Sequence, residues 1–292
     1  MLKHNVQKKV AVAVLAAMAI FFEFTAISCK STSNLSSVEP IELLSVGADA
    51  YFSIPVKSNF DFSKKLVESV ASDGSISEKD IVRILERVDT IYAGMNLSGS
   101  AFEMSASGNF PVALSKFFLT EKNGWKNHKF SSYKYNEHMD SGLALSFLSS
   151  DLVCISSSPK IVEGQLGKCD AIISKTDVQN VSFETSDSDI CFFFPKAADI
   201  LSMIVGNNAM LLSCFKSAYG SLRQVPGSED FDLKLTLSLA DPRTRMAVSG
   251  ILRLAFLGTS VGISSEDDSV TLTGLFLDWN SIFSLVASSG AM

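Results

Sequence analysis

The strongest constraint on the fold is a pattern that occurs twice, Asp49-Ala-Tyr-Phe52-Ser-Ile-Pro55 and Asp189-Ile-Cys-Phe192-Phe-Phe-Pro195. Each copy is a short apolar run enriched in aromatics, which suits a buried strand. Each ends at a proline, which cannot donate to a sheet ladder. The landmarks that follow also come in pairs. Phe102-Glu-Met104 and Phe231-Asp-Leu233 open further strand-like runs, which lead to Pro111 and Pro242, each placed as the first residue of a helix. A strand pair comes next, near 143–156 in one half and 261–277 in the other, and then a last helix, near 159–167 and 278–288. One order of elements thus reads twice along the chain. It predicts an α+β protein of antiparallel sheet with packed helices, built as two tandem copies of one βααβαββα-like unit at 41–175 and 181–292.

Local patterning fits that class. Phe231 to Leu239 alternates apolar and polar residues with period two, the habit of an antiparallel strand with one face on a core. Glu266-Asp267-Asp268 has the composition of a turn between two strands. Ser77 and Asp80 resemble a capping box, after which Ile81, Ile84, Leu85, Val88, Ile91 and Tyr92 recur at helical spacing. That spacing predicts one core-facing helix through Tyr92.

The N-terminus has a different character. Lys3, His4, Lys8 and Lys9 precede an uncharged apolar stretch from Val10 to Phe22, and Ala26-Ile27-Ser28-Cys29 follows. As a helix that stretch spans only about 20 Å, short of the ~30 Å hydrocarbon core of a bilayer, which favours a signal peptide over a permanent span. Residues 1–28 read as a lipoprotein signal and Cys29 as the residue that carries the lipid. Residues 29–40 are serine-rich, end at Pro40 and read as a flexible tether. Loss of the signal removes three lysines and one glutamate, so the formal charge moves from −6 to −8. An acidic body argues against nucleic acid and matches anionic lipid poorly.

No segment spells out a reaction. His128 and His138 are the histidines beyond the signal, isolated in a Lys- and Tyr-rich stretch read as exposed. The acids at 266–268 and Asp187/Asp189 read as turn residues, and no catalytic residue, metal or cofactor is assigned beyond a covalent lipid on Cys29. Cys154, Cys169, Cys191 and Cys214 could pair as two disulfides, but Cys154 and Cys191 sit in apolar runs, which favours buried thiols.

Two segments stand out instead. Along 242–257, Ala247, Val248, Ile251, Leu254 and Ala255 share one side and read as the core face, while Leu252 and Phe256 fall opposite, between Arg245 and Arg253. Such a helix either lies in a lipid interface or is covered by protein on both sides. From Trp279 to Met292 there is no charged side chain, and Trp279 and Phe283 share a face that either closes the core or meets lipid.

Signal, tether, doubled α+β body and amphipathic helices together resemble the spirochaetal, treponemal-type outer-membrane lipoproteins. The resemblance rests on that layout and on Ala26-Ile27-Ser28-Cys29. It implies an α/β/α body whose amphipathic helices enter the membrane, in a lipid-anchored envelope protein of the outer membrane, facing the periplasm or the surface. The function it implies is non-enzymatic: binding of lipid or bilayer through Arg245, Leu252, Arg253, Phe256, Trp279 and Phe283. The alternative is an envelope scaffold whose helices are all core and whose protein partner the sequence leaves open. A hydrolase with an unrecognised site is the third class.

Overall fold

The computed structural model describes residues 38–70, 78–96, 101–112, 115, 119–198, 201 and 212–279. Cys29 and Phe283 lie outside the described residues. The chain divides into two compact units. One holds the chain up to Gly47 together with Ile54–Ser182, and the other Ala48–Ser53 with Phe183–Met292.

The first unit contains helix α1 (Phe60–Val70), helix α2 (Glu78–Leu85) and strands β2 (Val88–Met95) and β3 (Phe102–Gly108). It continues with β4 (Trp125–Phe130), β5 (Tyr133–His138), β6 (Ala144–Phe147), β7 (Leu152–Ser156) and helix α3 (Pro159–Ile173). These strands lie in the order β2-β3-β7-β6-β5-β4, every pair antiparallel. Pro159 starts α3, where its missing N–H costs nothing. Val162, Gln165, Leu166 and Cys169 recur at helical spacing and turn inward against Leu43, Tyr135, Ala144, Leu152 and Cys154. Gln165 sits fully buried and donates from Nε2 to the carbonyl of Met104 at 3.1 Å, which fastens the helix to β3.

The second unit begins with β1 (Ala50–Pro55), whose first residues belong to it, and adds β8 (Ile190–Phe194), β9 (Phe215–Gln224) and β10 (Phe231–Leu239). Helix α4 (Arg245–Ala255) and the hairpin of β11 (Gly262–Glu266) and β12 (Ser269–Leu277) complete it. Its strand order is β11-β12-β10-β9-β8-β1, again antiparallel throughout. The two Asp-x-x-Phe-x-x-Pro runs meet here, Tyr51 opposite Phe193 and Phe52 opposite Phe192. Tyr51, Phe193 and Phe183 stack along one face of that pair, while Phe52, Phe192 and Phe194 pack edge to face on the other. Leu233, Leu235, Leu237 and Leu239 of β10 are all buried, as their period-two spacing predicts.

The α+β class and the antiparallel sheet therefore hold, and four local expectations need correction. First, α2 stops at Leu85, and Val88, Ile91 and Tyr92 belong to β2. Val88, Thr90 and Ile91 are β-branched, a type that prefers the pleated sheet, and pairing with β3 overrides the helical spacing. Second, the Lys- and Tyr-rich stretch is the β4–β5 hairpin, with Trp125 and Tyr135 buried. Third, its histidines are half-buried: His128 stacks on Tyr135 at 5.0 Å between centroids and His138 meets Trp125 edge-on at 5.0 Å. Fourth, the body begins before Ile41, because Val38 is buried against Leu43, Tyr135 and Leu166, and Pro40–Leu43 forms a 3-10 turn.

A polar cluster fixes that entry segment. Ser45 donates from its backbone N–H at 2.5 Å and its Oγ at 2.9 Å to the Glu103 carboxylate, and Lys168 donates to the carbonyls of Leu44 at 2.5 Å and Gln179 at 3.0 Å. Glu103 is buried, and burial pushes its carboxyl above the usual glutamate range, partly opposed by the Ser45 hydrogen bonds and by Lys168. A carboxyl raised on folding stabilises the native state below its unfolded pKa, and that contribution is lost as pH rises through its folded pKa. Relative to wild type, Glu103→Gln is therefore expected to gain melting temperature as pH rises from about 4 to about 8, across the ordinary glutamate range and above it. Thermal melts of the two proteins at matched pH check this. A difference that stays constant with pH contradicts it.

Candidate functional site

The local sequence sets α4 firmly. Asp241 accepts from the N–H of Arg243 at 3.0 Å, Pro242 opens the turn that leads into the helix, and Gly258 takes a left-handed φ of 84° just past its end. The helix packs on β11 and β12. Its buried residues are Val248, Ser249 and Leu252, with Phe256 half-buried beside them. Ser249 Oγ has no hydrogen-bond partner among the described residues.

The opposite face is apolar and open to solvent. Met246 is 79% exposed, Ile251 50%, Leu254 73% and Leu257 80%. Ala247 and Ala255 lie exposed among them. A single large apolar side chain in solvent is ordinary, but three on one short helix and a fourth in the turn after it form a patch of the kind that marks an interaction surface. Arg253 is exposed at the border of the patch. Arg245, half-buried, reaches the carbonyl of Asp267 at 3.4 Å.

These positions correct the sequence reading of the helix. It does present apolar residues beyond a core face, but the faces are exchanged: Leu252 is 2% exposed and belongs to the core, while Ile251 and Leu254 point to solvent. Met246 and Leu257 were not among the expected contacts. Periodicity could not choose between the faces, because each is apolar. The buried one carries Ser249 and is flanked by Arg245, so it reads as the more polar of the two.

The remaining expected residues fall elsewhere. Trp279 is half-buried and packs on Phe231, with ring centroids 6.4 Å apart. Phe276, 60% exposed on β12, faces away from the buried leucines of β10, since it pairs with Asp232. Cys154, Cys169 and Cys191 are buried thiols. Among the described residues, no helix is long and apolar enough to cross a membrane.

Comparison with known proteins decides the family. The family model described as outer membrane-associated lipoprotein TP0453 matches residues 35–282. The chain belongs to that family. The TP0453 of Treponema pallidum (strain Nichols), an outer membrane protein, is 28% identical over 106 residues, which span 35% of this chain and 35% of that relative. Crystal form I of TP0453 superposes with a TM-score of 0.64 at 16% identity, covering 87% of this chain and 98% of that one. Crystal form IV gives 0.60 at 15% identity, over 86% and 98%. At such identities the structures show the fold, and the fold is that of TP0453. The treponemal resemblance is thus borne out at the level of the family, and with it the placement in the outer-membrane envelope.

Proposed function

We propose that this member of the TP0453 family is anchored by a lipid on Cys29 and rests its body on the bilayer through the outer face of α4. The observation that carries the reading is the exposure of Met246, Ile251 and Leu254 on one side of α4, with Leu257 in the turn just after it, while the helix's other side is already in the core. Burying a side chain of this size stabilises by about 1.5–3 kcal/mol. Several together can hold a protein on a membrane without electrostatic attraction, which suits an acidic body. Arg253 stands where a guanidinium can stay at the headgroup level while its stem lies along the apolar surface. Nothing in this account requires a reaction, and the protein is read as non-enzymatic.

The test is vesicle flotation of the chain without its first 28 residues and with Cys29→Ala, so that no acyl chain contributes. Neutral vesicles should carry it upward, and added salt should not release it. A protein that stays in solution favours the alternative, in which α4 docks a protein partner. The anchor is tested separately. Cells labelled with a fatty-acid analogue should show incorporation into the wild-type protein, and Cys29→Ala should abolish it. Equal labelling of both removes Cys29 from the account.

The doubling of the chain belongs to the same reading. The strands β2-β3-β7-β6 and β9-β10-β12-β11 run in one order in the two units, and β4–β5 is a hairpin with no counterpart among the described residues of the second unit. This supports two copies of one ancestral element order, of which α4 is the second copy's helix between strand and hairpin.

A further inference from the structure

We infer that the β4–β5 hairpin is a second membrane contact, one that recognises anionic lipid headgroups. The inference rests on the membrane-tethered reading above but uses different residues and different chemistry. Residues 122–136 contain Lys122, Lys126, Lys129 and Lys134 and no acid, in a chain whose net charge is −6. Lys129 and Lys134 stand directly opposite each other in the ladder, on either side of the Ser131-Ser132 turn. Like charges so placed repel, and neither lysine forms an ion pair with a described residue. An external anion would relieve that repulsion.

Glu137 and Glu163 serve the other face of the hairpin. Strand alternation puts Lys126, His128, Phe130, Tyr133, Tyr135 and Glu137 on the side that meets α3. There Tyr135 donates to Glu163 at 2.7 Å, and His128 Nε2 lies 2.9 Å from Glu137. The Lys129/Lys134 face instead carries Asn127 and Asn136, bonded to each other at 3.2 Å, and at its far end the buried Trp125 and half-buried His138, with no carboxylate in register. Within the ladder no acid stands opposite Lys129 or Lys134.

The tether says what that charge meets. Val38 packs in the same cluster as Phe130, Tyr133 and Tyr135, so the chain enters the body at this hairpin, on the face opposite Lys129 and Lys134. Only eight residues separate Val38 from Cys29, and the nine steps between them span at most about 30 Å. A lipid on Cys29 therefore keeps the hairpin as a whole within about 30 Å of headgroups, and each lysine that comes within a Debye length of an anionic surface adds attraction. The acidic body as a whole matches anionic lipid poorly, and the hairpin is the local exception.

Flotation of the Cys29→Ala chain without residues 1–28 tests this, on neutral phosphatidylcholine vesicles and on vesicles with a third phosphatidylglycerol. Wild type should bind the anionic vesicles about tenfold more tightly than neutral ones, as a few lysines near an anionic surface allow. High salt should erase that difference. The variant K129Q/K134Q should bind both vesicles alike, at the neutral level, with unchanged circular dichroism. Equal binding of wild type to the two vesicles, or an anionic preference that survives in the variant, overturns the inference. Failure of the α4 reading gives another result: no binding to neutral vesicles, whatever the lysines do. If the lysines serve only to guard an edge strand from pairing, the variant aggregates without any change in lipid preference, which also overturns it.

Discussion

Changing Met246, Leu254 and Leu257 together to serine is expected to release the protein from neutral vesicles while leaving it folded. All three are exposed in solution, so the folded body loses little packing when they are shortened. Serine is a poorer helix former than leucine or methionine by only a few tenths of a kcal/mol at each position. On the bilayer the balance differs. Even if each side chain is partly inserted and contributes about 1 kcal/mol, together they account for more than a hundredfold in partitioning. Flotation of wild type and triple variant, with circular dichroism and a thermal melt on each, measures both sides. Unchanged flotation of the variant removes α4 from the membrane.

Leu252→Ala is expected to do the reverse. Leu252 lies two residues from Leu254 but is 2% exposed on the buried side of α4. Truncation of a buried leucine leaves a cavity and costs about 2–5 kcal/mol. Urea denaturation should therefore show a large drop in midpoint for Leu252→Ala and almost none for Leu254→Ala. A cost below about 0.5 kcal/mol, the usual range for a surface change, would mean that Leu252 is not in the core in solution. The two leucines thus separate folding from binding within one helix.

Residue type and spacing carried the strands well. The period-two leucines of β10 and the turn of Glu266-Asp267-Asp268 were legible because alternation has one solution when only one face is apolar. The helix through Tyr92 failed for a related reason: Val88 and Ile91 fit a helical period and a sheet equally, and only pairing with β3 decides. The β4–β5 hairpin was missed because Ser131-Ser132 lacks the glycine or asparagine that usually announces a two-residue turn. Ser131 nevertheless adopts a positive φ of 52° there.

At the candidate site, the sequence showed that 242–257 is apolar beyond one face, but not which face is buried. Helical periodicity gives an angle between residues and no reference to the sheet. Val248, Leu252 and Phe256 form the narrower stripe, interrupted by Ser249, and contact with β11 and β12 selects it. The signal available beforehand was Gly258, which ends the helix and leaves Leu257 stranded at its tip. The basic hairpin was legible only as composition, since the pairing of Lys129 with Lys134 depends on register.

The most direct measurement places a reporter on the outer face of α4. A tryptophan at position 254, in the Leu254→Trp variant, should be quenched by bromine on the lipid acyl chains when neutral vesicles are added, and its emission should shift to the blue. The native Trp125 is buried within the first unit and Trp279 is half-buried on Phe231, so wild-type protein supplies the baseline. Quenching well above that baseline is the result this account predicts. Emission at position 254 that stays at solvent wavelength, with quenching no greater than wild type while the protein floats with vesicles, would contradict it.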